Sequence, residues 1–168
     1  GQMIRPRVIP ALLLQGQGLV KTVKFKDPTY LGDPINIVRI FNEKEVDELV
    51  FLDITATNEN RPPAFKKLAD ITSECFMPLG YGGGIRSMDD IKTLLSIGIE
   101  KVILNTSAVE NPALIRVVAD YAGSQAVVIS IDIKKSFLGK YEVWTHSARK
   151  GTGLDPVKHA VEMEKQGA

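Results

Sequence analysis

The chain has 168 residues, 44% hydrophobic and 24% charged, enough for one sizeable core and too short for two. With 21 Lys and Arg against 20 Asp and Glu, no field of one sign argues for nucleic acid or a membrane surface, so a phosphate has to be gripped locally. A single cysteine, Cys75, excludes an internal disulfide, and the absence of a CxxC pair or a His cluster gives no framework for a metal.

No apolar run is long enough to span a bilayer and no leader pattern opens the sequence, so a cytoplasmic protein without a bound cofactor is expected. Gly1 and Gln2, ahead of Met3, read as a tag remnant, which leaves 3–168 as one domain.

From the start, Val8 to Leu14 is a nearly continuous apolar run of strand length, suited to a parallel strand buried on both faces. A basic stretch from Lys21 to Lys26 follows, then a long loop to Asp33-Pro34, where Asp caps a helix and Pro takes its first position. The pattern then repeats. Leu49 to Asp53 is strand two, and a Thr/Asn loop leads to a helix carrying Phe65, Leu68, Ala69 and Thr72. The third strand ends in Gly82-Gly83-Gly84, and its helix opens at Ser87, with Asp90 completing an approximate capping box, and closes at Gly98. Lys101 to Thr106 is strand four, Asn111-Pro112 opens helix four, and Ala126 to Asp132 is strand five. Between Ile133 and Gly153 the pattern changes, and Tyr141 to Thr145 alternates as an inserted hairpin would. Asp155-Pro156 opens helix five.

Five βα units in strict alternation predict a parallel sheet with right-handed crossovers. An open doubly wound sheet and part of a (βα)8 barrel both satisfy that pattern. Asp53, Asn105-Thr106 and Asp132 all fall at the C-terminal ends of different strands, where barrel enzymes build their sites, and this favours the barrel. Eight units need about 250 residues, more than this chain holds. The glycine run lets backbone amides approach an anion beside a helix N-terminus; a tight turn without a ligand is the alternative.

Four stretches resemble one family: Phe51 to Ala56, Gly82 to Ile85, Val102 to Pro112, and Gly123 to Val128 with Ile131-Asp132. They are similar to the cyclase subunit of imidazole glycerol phosphate synthase, a (βα)8 barrel of histidine biosynthesis, and the likeness covers its first five βα units. The resemblance implies a glutaminase partner whose ammonia crosses the barrel to a bisphosphorylated ribulosyl-imidazolecarboxamide substrate. Gly84, with Gly83 beside it, Asn105 and Thr106 match one phosphate site. Lys21 matches a loop lysine and Asp53 a strand-two carboxylate near the substrate. Of two acid/base aspartates, the strand-five member matches Asp132, whereas the strand-one position is Leu13, which transfers no proton. Arg7, Glu48 and Lys101 match three members of a charged ammonia gate at the opposite mouth, and the fourth falls past Ala168.

Pro10 to Leu14 and Leu19 to Pro28 also resemble a divergent branch associated with glycosyl amidation, in which ammonia serves the amidation of a nucleotide sugar. A non-catalytic assembly fragment is a third reading. Open sheet edges imply self-association or a piece of a longer protein. His146 and His159 lie in different elements and form neither triad nor metal pair. Ser147, Arg149 and Lys150 form a polar tip able to clamp phosphate, Trp144 anchors the hairpin, and Cys75 reads as an inert thiol.

Overall fold

A computed structural model describes residues 9–15, 19–22, 30–44, 46–135, 139–145 and 150–167. In chain order the elements are β1 (Ala11–Gln15), β2 (Leu19–Thr22), β3 (Tyr30–Gly32), α1 (Pro34–Glu43), β4 (Leu49–Asp53), α2 (Ile54–Asn58) and α3 (Phe65–Glu74). There follow β5 (Leu79–Gly82), α4 (Met88–Ser96), β6 (Lys101–Leu104), α5 (Thr106–Glu110), α6 (Ala113–Ala122) and a 3₁₀ turn (Ser124–Ala126). The last are β7 (Val127–Ile129), β8 (Asp132–Lys135), β9 (Tyr141–Thr145), β10 (Lys150–Gly151) and α7 (Pro156–Gln166).

Five strands, β1, β4, β5, β6 and β7, pair in parallel and lie side by side in the order of the chain. A doubly wound sheet reverses its strand order at a switch point; this one does not. Burial separates the two architectures further. The paired row Leu12, Phe51, Tyr81, Val102 and Val127 is buried with the apolar sides of the helices, including Val38, Leu68, Ile91 and Ile115, in one core. The next row, Leu13, Leu52, Gly82, Ile103 and Val128, points to the other face and takes no part in that core. Helices on one face and an apolar concave face opposite are the arrangement of a partial (βα)8 barrel.

Helix starts follow the capping chemistry read from the sequence. Asp33 accepts a hydrogen bond from the Ile35 N–H at 2.8 Å, Asp155 accepts from the N–H groups of Val157 and Lys158, and each helix has Pro in its first turn. Ser87 accepts from the Asp90 N–H at 3.2 Å. The Asp90 carboxylate takes the Arg86 N–H at 3.1 Å, one residue ahead of the cap, because the short Asp side chain does not return to Ser87 itself. Pro112 occupies the cap of α6, with no side-chain cap bond.

Three expectations need correction. The segment read as a basic stretch and long loop contains β2 and β3, which extend the sheet antiparallel from the free edge of β1. The Thr/Asn loop after strand two holds the short helix α2, capped by Asp53, and a second short helix, α5, opens at Thr106 directly after β6. Strand five ends at Ile129: the Ser130 N–H donates to the Leu104 carbonyl at 2.9 Å, and the chain then leaves the sheet. Asp132 therefore opens β8, where it pairs with Trp144 in the antiparallel sheet β10-β9-β8, because the inserted hairpin supplies a ladder that β7 does not. The hairpin itself lies where the alternation placed it.

Candidate functional site

A cavity of about 600 Å³ opens on the concave face at the C-terminal ends of the parallel strands. Its walls bring together Leu13, Asp53, Gly83, Gly84, Asn105 and Thr106, all singled out in the sequence. The lower part is apolar, from Leu52 and Ile103; the polar groups collect at the rim. That division suits a ligand with a charged end and a less polar body.

Each rim group is held by the fold. Asp53 ends β4 and is 9% exposed, and its Oδ1 accepts the Ala56 N–H at 3.0 Å, so it is at once the cap of α2 and part of the cavity wall. Burial pushes its carboxyl above the usual carboxylate range, more than the backbone hydrogen bonds and the Arg61 charge pull it down. Gly83 and Gly84 have φ of 127° and 70°, a region L side chains rarely adopt. A Cβ would meet the Asp53 carbonyl at Gly83 and the Arg61 carbonyl at Gly84. The Tyr81 hydroxyl, which burial keeps protonated far above neutral pH, donates to the Gly83 carbonyl at 2.9 Å and fixes the bend from beneath. Asn105 donates through Nδ2 to the Ser130 carbonyl at 2.7 Å and ties the ends of β6 and β7 together. Ser107 donates to the Ile85 carbonyl.

At the opposite ends of the strands, Lys101 Nζ reaches both carboxylate oxygens of Glu48, at 2.9 and 3.1 Å. Glu48 is 6% exposed and precedes β4; Lys101 opens β6. The pair therefore spans the start of β5, where Gly80 lies in register between Val50 and Lys101.

Residues 7–168 match the family described as "Histidine biosynthesis protein". The chain belongs to this family. A Leptospira interrogans relative is 49% identical over 165 residues, covering 96% of this chain and 65% of its own length. A Pseudomonas aeruginosa relative is 50% identical over 165 residues, covering 98% and 66%, and one from Vibrio vulnificus is 43% identical over 168 residues, covering 99% and 65%. All three carry provisional names as imidazole glycerol phosphate synthase subunits of the HisF type. The chain spans just under two thirds of the length of these relatives.

In this histidine biosynthesis family member, the sequence-read residues distribute as follows. Lys21 lies on β2 with its backbone paired to Leu13; its side chain, like those of Asp132, Trp144 and Lys150, is outside the described residues. Arg7, His146, Ser147 and Arg149 also lie outside them. His159 is buried on α7, away from the cavity lining, and burial lowers its pKa. Sequence reasoning missed Thr57, whose hydroxyl accepts the Gly84 N–H at 3.2 Å, and Arg86, which lines the cavity directly after the bend. The run Gly84-Ile85-Arg86 carried the signal for the second, since a cation two residues beyond a candidate anion bend is a natural ligand. Among the described residues no helix is long and apolar enough to cross a membrane, and no group of three His, Cys, Asp or Glu side chains could hold a metal.

The raised carboxyl of Asp53 gives a pH signature. A carboxyl with a folded-state pKa above its unfolded one favours folding when protonated, and that contribution disappears as pH rises through the folded value. Asp53→Asn keeps an oxygen for the Ala56 N–H and removes the titration. Urea denaturation at pH 4 and pH 7 is expected to show the Asn variant gaining stability relative to wild type at the higher pH. An equal difference at the two values would contradict the burial argument.

Proposed function

We propose that the chain is the barrel portion of a cyclase-type subunit of imidazole glycerol phosphate synthase. In this reading it takes ammonia from a glutaminase partner and presents it to a bisphosphorylated ribulosyl-imidazolecarboxamide substrate. One observation carries the proposal: Asp53, Gly83, Gly84, Asn105 and Thr106, from three different strand ends, share the wall of a single cavity. The bidentate Lys101–Glu48 pair at the far ends of the strands supports ammonia entry through a charged mouth. Gly84, Asn105 and Thr106 would face one phosphate, Lys21 and Asp53 the sugar or carboxamide, and Asp132 would serve as an acid/base group. The site works from a cytoplasmic enzyme without a cofactor.

Leu13 favours a second reading. It lines the cavity and stands in register with Leu52, at the position where cyclisation calls for a second carboxylate. An apolar residue there retains the scaffold and the ammonia route but removes one proton-transfer group. The subunit would then deliver ammonia to a further protein that amidates a nucleotide sugar.

One experiment separates the readings. The full-length protein is mixed with ammonium salt and the ribulosyl-imidazolecarboxamide bisphosphate, and products are resolved by chromatography. Formation of imidazole glycerol phosphate by wild type supports the cyclase. No product from wild type, with product from Leu13→Asp, supports ammonia delivery on a cyclase scaffold. No product from either, together with no binding of the substrate, would overturn both.

A further inference from the structure

The peptide unit between Gly83 and Gly84 is held at both ends by side-chain hydroxyls from different elements. Tyr81, on β5, donates to the Gly83 carbonyl at 2.9 Å, and the Gly84 N–H donates to Oγ1 of Thr57, on α2, at 3.2 Å. The unit is trans, so its carbonyl and its N–H point in opposite directions. Tyr81 is 1% exposed and belongs to the core between sheet and helices, whereas Thr57 lines the cavity. The carbonyl is therefore turned toward the core and the N–H toward the cavity wall.

Nothing in the backbone chooses this orientation. Turning the unit over changes only ψ of Gly83 and φ of Gly84, and glycine takes positive and negative φ about equally readily. Turned over, the unit would add a carbonyl oxygen to a wall that already carries the carboxyl groups of Asp53 and Glu110. The two side-chain contacts are unequal. The one to Thr57 is longer than the usual N–H···O distance, and an anionic oxygen makes a shorter bond, about twice as strong. Thr57 is thus an acceptor that an anion displaces. The Tyr81 ring, by contrast, is fixed in register between Phe51 and Val102, and burial keeps its hydroxyl protonated, hence a donor, far above neutral pH.

We infer that Tyr81 is a positioning residue: its hydroxyl sets the orientation of the Gly83–Gly84 peptide and so keeps the Gly84 N–H directed at the cavity, with Thr57 holding that N–H until a ligand oxygen replaces it. The inference rests on the anion reading of the cavity given above. What it adds is the group that decides which way the bend faces, a side chain on the core side of the sheet that touches no ligand itself.

Tyr81→Phe keeps the packed ring and removes the one hydroxyl. Calorimetry of the full-length protein with inorganic phosphate is expected to show this variant binding about fivefold more weakly than wild type, because a hydrogen bond no longer favours the competent orientation. Thr57→Val removes the bond at the other end and is expected to bind about twofold more tightly, because phosphate no longer displaces an acceptor. A role confined to stiffening the bend would move both variants the same way. In proton–nitrogen correlation spectra of glycine-labelled protein, the Gly84 amide resonance should shift with phosphate in wild type and in Thr57→Val. At equal saturation the shift in Tyr81→Phe should be smaller by about half or more. Weakening of both variants alike, or wild-type affinity in Tyr81→Phe, would overturn the inference and leave the anion reading standing. No phosphate binding by wild type, or binding that leaves the wild-type Gly84 resonance unmoved, would overturn both.

Discussion

Replacing Gly83 by alanine is expected to destabilise the folded protein by about 3–4 kcal/mol, the sum of a strained backbone and an overpacked contact. In a chain of this size that lowers Tm by about 10 °C. The two costs have separate origins. Gly83 has φ 127°, where an L residue is strained whatever the space around it, and a Cβ there would also run into the carbonyl and Cβ of Asp53. Neither obstacle is the far end of a flexible side chain. Both belong to the end of β4, which parallel pairing to β5 holds in register, so relief requires shifting one strand end against the other. Gly153 provides the control: its φ is 75°, but no atom lies within 4 Å of its would-be Cβ. Gly153→Ala should therefore show the strain alone, about 1 kcal/mol. Urea denaturation of both variants measures the difference, and equal losses would mean that overlap with Asp53 contributes nothing.

The same bend shows what the sequence could and could not carry. Three adjacent glycines announced a close approach of backbone to something, and the capping residues Asp33, Ser87 and Asp155 placed three helix starts. Local chemistry fixed these, so they were legible. What the glycines approach was not, because Thr57, which takes the Gly84 N–H, is 27 positions away and sits on a helix of five residues. That helix is too short to show a 3.6-residue period, and its start depends on Asp53, which reads equally well as the last residue of a strand.

Strand one shows a second limit. Its run of leucines suggested burial on both faces, yet only Leu12 and Leu14 join the core, while Leu13 lines the cavity. The concave face of a barrel is apolar as well, so composition alone does not tell core from cavity. The partners β2 and β3, of four and three residues and carrying Lys21 and Gly32, have little strand character of their own. They form because β1 offers an unpaired edge, a tertiary cause invisible in a local window. Asp132 was misplaced for the same reason: an apolar run crosses Ser130 without a break in pattern, while the chain changes sheets there.

At the other mouth of the half-barrel, Lys101→Met is expected to cost about 2–3 kcal/mol, less than breaking a fully buried ion pair. Lys101 keeps its side chain 29% exposed, which screens the pair on one side, whereas the Glu48 side chain is 7% exposed. Methionine retains the length and apolar stem of lysine but withdraws both short bonds to the carboxylate. A double variant, Glu48→Gln with Lys101→Met, removes the buried charge along with the Lys101 cation. It should recover part of the loss, since a desolvated carboxylate that has lost the Lys101 cation is costlier than a neutral amide at the same place. Lys101 opens the strand that Leu104 closes, three residue steps or about 10 Å away along the strand, so phosphate binding at the cavity should be unchanged in both variants. Chemical denaturation and phosphate titration of the single and double variants check the two halves separately. Loss of phosphate affinity in Lys101→Met would show that the two mouths are coupled through the sheet, and a double variant no more stable than the single would show that Glu48 is not the group Lys101 serves.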